Sequence, residues 1–106
     1  MDAELRRSLL EVCVLSAIKK EDSYSYRIIK NMKPHVEVTE TELYPILKKL
    51  EADGQLKNYA TEHNGRLRKY YRITQKGKDR IKEFQKEWDE MLSIYSFVIK
   101  EEKDDE

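Results

Sequence analysis

Apolar residues recur at helical spacing between Ala3 and Lys19. Leu5, Leu9, Val12 and Cys13 follow one stripe, and Leu10, Val14, Ala17 and Ile18 another. Two stripes on one helix predict burial from two sides, against its own domain and against something else. A second helix is expected from an N-cap at Ser23 through Tyr26, Ile28, Ile29 and Met32. It should end where Pro34 disfavours helical geometry at Lys33. Thr39-Glu40-Thr41-Glu42 has the reciprocal capping pattern, and Leu43, Ile46, Leu47 and Leu50 then form a stripe that stops at Asp53-Gly54. Pro45 is at odds with this third helix, because an interior proline costs about 3 kcal/mol. A helix beginning at Thr41 puts Pro45 near the first turn, where little hydrogen bonding is lost.

After Gly54 the period changes. Leu56–Thr61 and Leu67–Ile73 read as strands, and Asn64-Gly65 between them is a strong two-residue hairpin signal. Thr74 caps a last helix expected from Gln75 to about Ile99. Ile81, Phe84, Trp88, Met91, Tyr95 and Val98 alternate three and four residues apart along it, a heptad seam widened by Leu92 and Ile99. The fold class expected is mainly α with a small antiparallel β-hairpin. In this order the elements make a winged helix-turn-helix over 1–73, followed by a dimerisation helix and acidic tail over 74–106.

With Asn64 and Gly65 as the loop, His63 opposes Arg66, Thr61 opposes Arg68, Tyr59 opposes Tyr70, Lys57 opposes Arg72 and Leu56 opposes Ile73. Alternation puts Leu56, Ala60, Leu67, Tyr71 and Ile73 on a face that can pack on the helices. Lys57, Tyr59, Arg66, Arg68, Tyr70 and Arg72 share the other. That cationic face suits phosphates, with an arginine at the tip able to reach a narrow minor groove. It reads equally well as a solvated strand face held by a Tyr59–Tyr70 pair. Lys69 falls on the packing face, despite its place in the basic run.

The third helix carries Thr41, Pro45, Lys48 and Ala52 opposite its apolar stripe, flanked by Tyr44 and Lys49. In a helix-turn-helix this element enters the major groove, which puts Thr41 and Tyr44 near bases or sugars and Lys48 and Lys49 near phosphates. Taken alone the pattern is an ordinary amphipathic helix. Tyr24, Tyr26 and Lys30 on the preceding helix can touch the DNA backbone, and Tyr26 fits the core equally well.

A formal net charge of zero argues against nucleic acid, but the charge is unevenly placed. Arg66, Arg68, Lys69, Arg72, Lys76, Lys78, Arg80 and Lys82 face a single acid, Asp79, whereas the stretch from Glu83 to Glu106 is mainly acidic. A neutral mean therefore hides a locally positive surface. With 106 residues the chain makes one modest core that benefits from a partner. One cysteine and two separate histidines give neither an internal disulfide nor a zinc cluster, and no apolar run is long enough to span a membrane. A cytoplasmic, cofactor-free protein is expected. No Ser/His/acid grouping, metal motif or phosphate loop points to an enzyme.

These residues resemble the PadR-like family of transcriptional regulators. The resemblance is carried by Leu9-Leu10-Glu11, Val14-Leu15, Tyr24-Ser25-Tyr26 and Ile28-Ile29-Lys30. It continues through Thr41-Glu42-Leu43-Tyr44-Pro45-Ile46-Leu47-Lys48-Lys49-Leu50-Glu51, Gly54, and the run from Gly65 to Thr74 ending at Gly77. It implies a homodimer that binds pseudo-palindromic operator DNA, with a C-terminal helix making the dimer. Ser25 departs from the glycine often found between the two tyrosines, and Asn64-Gly65-Arg66 makes a tighter wing tip than the family's usual one. The resemblance further implies a repressor of the short subgroup, in some of whose members planar aromatic ligands bind at the dimer interface.

The expected DNA-binding set is Tyr26, Lys30, Thr41, Tyr44, Lys48, Lys49, Arg66, Arg68, Lys69 and Arg72. The expected dimer set is Leu5, Leu9, Ile81, Trp88, Met91, Leu92, Tyr95 and Val98. Phe84, Trp88, Met91 and Tyr95 are candidates for a small planar hydrophobic effector, although packing within the dimer is the simpler role for Trp88. A winged helix used only as a protein-interaction module is the competing function.

Overall fold

A computed structural model describes residues 1–104 of the chain, with side chains through residue 100. The acidic run expected at 101–106 lies outside the described side chains. The order is α1 (Ala3–Lys19), α2 (Ser25–Met32), α3 (Glu40–Ala52), β1 (Leu56–His63), β2 (Arg66–Ile73) and α4 (Gln75–Asp104). The fold class is therefore mainly α with an antiparallel hairpin and a long C-terminal helix.

Each boundary has a local cause. Asp2 accepts from the Glu4 amide at 2.9 Å and caps α1. Thr39 and Glu42 cap α3 reciprocally, as their spacing predicts. At the other end Gly54 sits at φ +76°, with the Gln55 amide on the Leu50 carbonyl and the Gly54 amide on that of Glu51. That pair of hydrogen bonds is a Schellman stop. Asn64 at φ 51° and Gly65 at φ 77° supply the two left-handed residues of a tight hairpin turn. All the cross-strand pairs expected from that turn are present.

Two boundary expectations need correction. Ser23 does not cap α2: the helix starts at Ser25 after Tyr24, and Ser23 is buried as a single bridge beside β2. Its amide donates to the Tyr71 carbonyl at 3.1 Å, and the Tyr71 amide returns a bond of 2.8 Å. Secondly, α3 starts at Glu40, so Pro45 falls beyond the first turn and leaves the Thr41 carbonyl without its helical donor. The loss is small because this face is exposed to water. Lys33 keeps helical geometry despite Pro34, and the turn is closed by the His35 and Val36 amides on the Met32 carbonyl.

The core is built around α1. Leu10, Val14, Leu15 and Ile18 are buried against Ile28 and Met32 of α2, Leu43, Leu47 and Leu50 of α3, and Leu56 and Tyr71 of the hairpin. Ile81 of α4 is buried in the same cluster. It packs within the chain and is withdrawn from the dimer set. Beyond Phe84 the helix leaves the domain: the 30 residues of the whole element amount to about 45 Å, and the molecule measures 66 × 26 × 22 Å.

Candidate nucleic-acid interface

On α3, Leu43, Ile46, Leu47 and Leu50 are buried, which turns Thr41, Tyr44, Pro45 and Lys48 outward. Lys48 Nζ lies 5.2 Å from the centre of the Tyr44 ring, so cation and aromatic share one exposed face. The flank toward α1 differs. There Arg6 Nη1 pairs with Glu42 Oε2 at 2.6 Å, and Lys49 Nζ pairs with buried Glu11 Oε2 at 3.1 Å. Arg6 and the Thr39 amide hold the Glu42 carboxyl below its usual value. Lys49 is thus engaged by α1, although its side chain stays more than half exposed.

The wing gains a third, very short strand from the Ser23 bridge. Ser23 and Tyr71 share the core face, and alternation puts Asp22 and Tyr24 on the outer face beside Arg72 and Tyr70. A row of rings results. Tyr24 and Tyr70 are 5.3 Å apart, tilted by 58°, and Tyr70 and Tyr59 are 5.8 Å apart and stacked. Arg68 lies 4.3 Å above the Tyr24 ring. Asp22 Oδ2 accepts from the Tyr59 hydroxyl at 2.6 Å and from Arg72 Nε at 3.1 Å. The first of these bonds raises the Tyr59 hydroxyl above its ordinary pKa. Arg72 sits on the expected face, but its charge is met by Asp22.

Lys69 is on the other face, as register requires, 3.8 Å from Glu51 of α3 and 5.5 Å above the Tyr71 ring. Leu67, expected to pack on the helices, is 79% exposed because the hairpin extends past the core there. Ala60 is exposed for the same reason. Arg66 makes no ion pair among the described residues.

A cleft of about 560 Å³ opens between the start of α2 and the wing tip. It is lined by Tyr24, Ser25 and Tyr26 on one side and by Arg66, Leu67, Arg68 and Lys69 on the other. No side chain caps α2, and its first residues, Ser25 and Tyr26, line this space. Tyr26 is 68% exposed, which removes it from the core. Lys30 is exposed one turn further along. Tyr24, expected on the second helix, precedes it and lies with Asp22 beside the Ser23 bridge, an arrangement signalled in sequence only by the alternation of Asp22-Ser23-Tyr24.

On α4, Phe84 stacks on Trp88 at 5.9 Å, and Trp88, Met91, Leu92, Tyr95 and Val98 are all exposed. The seam misses Ile94 and Phe97, which are also exposed and lie off it. On α1, Leu5 is exposed and Leu9 lines an apolar groove of about 680 Å³ shared with Cys13, Val36 and Phe84. Burial pushes the Cys13 thiol above its usual pKa. Among the described residues no group of three or more His, Cys, Asp or Glu comes together as metal ligands, and no helix is long and apolar enough to cross a membrane.

Three helices, a basic hairpin behind them and a projecting fourth helix define a winged helix-turn-helix protein. The sequence model of the Transcriptional regulator PadR-like family matches residues 14–83, and the chain belongs to that family. A PadR-like transcription factor from Bacteroides fragilis superposes with a TM-score of 0.82 at 32% identity, over 91% of this chain and 95% of that one. A Streptococcus mutans structure is 42% identical with a TM-score of 0.73, over 88% and 84% of the two chains. An uncharacterized protein of Lysinibacillus sphaericus is 31% identical over 102 residues, 92% of this chain and 94% of its own length. DNA-binding transcription regulation is the activity of this family.

Proposed function

We propose that the chain acts as a homodimer that reads a pseudo-palindromic operator and represses the genes beside it. One observation carries this reading: the exposed Thr41–Tyr44–Lys48 face of α3 occurs together with a cationic cleft between α2 and the wing tip. The α3 face suits base edges in a major groove, with half-sites about 34 Å apart in the dimer. Arg66 and Arg68, with the open start of α2 and the Tyr26 hydroxyl, suit the adjoining phosphates. Two unfilled surfaces support the dimer. One is the exposed seam of Trp88, Met91, Leu92, Tyr95 and Val98, and the other is the α1 groove around Leu9.

The stacked Phe84–Trp88 pair supports an effector site. Brought together with its two-fold mate, Trp88 offers a flat surface for a planar hydrophobic guest whose binding releases the operator. Trp88 is the sole tryptophan, so its fluorescence reports on this place alone. Saturable quenching by planar cationic dyes is expected, and unchanged emission would rule the site out.

Binding to the gene's own upstream duplex, followed by fluorescence anisotropy across a salt series, tests the central reading. Affinity should fall steeply with salt and be lost to a scrambled duplex. Affinity indifferent to salt, or equal for both duplexes, overturns it.

A further inference from the structure

Glu11 is 1% exposed and is the only charged side chain buried to this degree among the described residues. Its two oxygens go to different helices. Oε2 accepts from Lys49 Nζ of α3 at 3.1 Å, and Oε1 accepts from Arg80 Nη1 of α4 at 2.7 Å. Arg80 Nη1 also reaches Gln55 Oε1 at 3.3 Å. Such a buried ionic group adds little to stability over an apolar side chain of the same size, because desolvation offsets the attraction. Its best-attested use is to select one arrangement among similar ones.

The start of α4 is held separately. Thr74 Oγ1 donates to the Gly54 carbonyl and Lys76 Nζ to the Asp53 carbonyl, each at 2.6 Å. Gly77 backs onto Gln55 so closely that a Cβ would lie 2.5 Å from its carbonyl oxygen. These contacts form a pivot at the base of the helix. Arg80 lies about one turn beyond it, so its bond to Glu11 sets the direction in which α4 leaves the domain. Lys49 ties the same carboxylate to the flank of α3.

We propose that Glu11 is a positioning residue for DNA readout: shared between Arg80 and Lys49, it fixes the angle between α3 and α4. In the dimer that angle determines the separation of the two half-sites. The proposal rests on the reading of the chain as a dimeric DNA-binding protein. Glutamine at this position keeps the shape but accepts at one oxygen only, and its amide nitrogen is turned toward a cation.

The test is in vitro selection from a random duplex library with the wild type and with Glu11→Gln, followed by affinity measurements at each recovered spacing. The wild type should recover one half-site sequence at one spacing, preferred by about tenfold over a spacing one base pair longer. Glu11→Gln should recover the same half-site over a broadened or shifted set of spacings, with the preference reduced to about threefold or less. Arg80→Met, which leaves Lys49 on the carboxylate, should do the same if Glu11→Gln proves unfolded by circular dichroism. A folded variant with the wild-type spacing profile and merely weaker binding overturns the positioning role. A wild type that recovers no paired half-sites overturns the dimeric DNA-binding reading itself, and the proposal with it.

Discussion

Lys48 and Lys49 are adjacent in sequence and differ in what holds their charge. Lys48 lies over Tyr44 on the open face of α3, whereas Lys49 is drawn back to Glu11. Lys48→Ala should lower DNA affinity and reduce the salt slope by about one, with stability within about 0.5 kcal/mol of wild type. Lys49→Ala should instead lower stability, by about 1 kcal/mol given that its side chain is more than half exposed. Salt-dependent anisotropy and urea unfolding on the same two variants check both halves. Gly77 offers a sharper single-residue prediction. A methyl there meets the Gln55 carbonyl oxygen at 2.5 Å and Ile73 Cγ1 at 2.7 Å, so Gly77→Ala should cost about 1–3 kcal/mol in urea unfolding. The outward place of Lys48 was legible from helical period alone. That of Lys49 was not, since its partner lies 38 residues away on another helix.

At the scale of elements, α3 depends on its first turn. Thr39 and Glu42 close the cap, and Arg6 of α1 clamps the same Glu42. The folded-state pKa of Glu42 lies below the ordinary 4.5, chiefly through the Arg6 bond and then the Thr39 amide. A depressed carboxyl stabilises the fold fully above its unfolded pKa, and that contribution is lost as pH falls through the folded value. Melting temperature should therefore drop below about pH 4.5, and the drop should be shallower in Glu42→Gln. Equal acid sensitivity in the two proteins contradicts the assignment. The capping box and the hairpin register could be read from sequence because both are set by residues within a few positions of each other. The Ser23 bridge could not: a strand of one pair has no period, and its serine imitates an N-cap.

For the whole molecule, the question is what the outer part of α4 does. Its base is fixed by Ile81 and Gly77, while Trp88, Leu92 and Tyr95 project from the domain with their apolar surface exposed. Sequence periodicity marked this seam but assigned Ile81 to it, because a heptad pattern does not say where a helix stops packing on its own chain. The division matters for a variant. Leu92→Glu places a charge in the seam without touching the winged domain's core, so it should abolish the dimer and leave the fold intact. Burying a leucine side chain contributes about 1.5–3 kcal/mol, and a dimer contains the site twice, so a shift in dissociation constant of at least about a hundredfold is expected. Sedimentation equilibrium of the wild type should show dimers in the micromolar range, and the variant should sediment as a monomer with an unchanged circular dichroism spectrum. Operator affinity should collapse with it, because one α3 alone engages a single half-site. A wild type that stays monomeric at those concentrations, or a monomeric variant that binds the full operator as tightly, contradicts the two-fold arrangement.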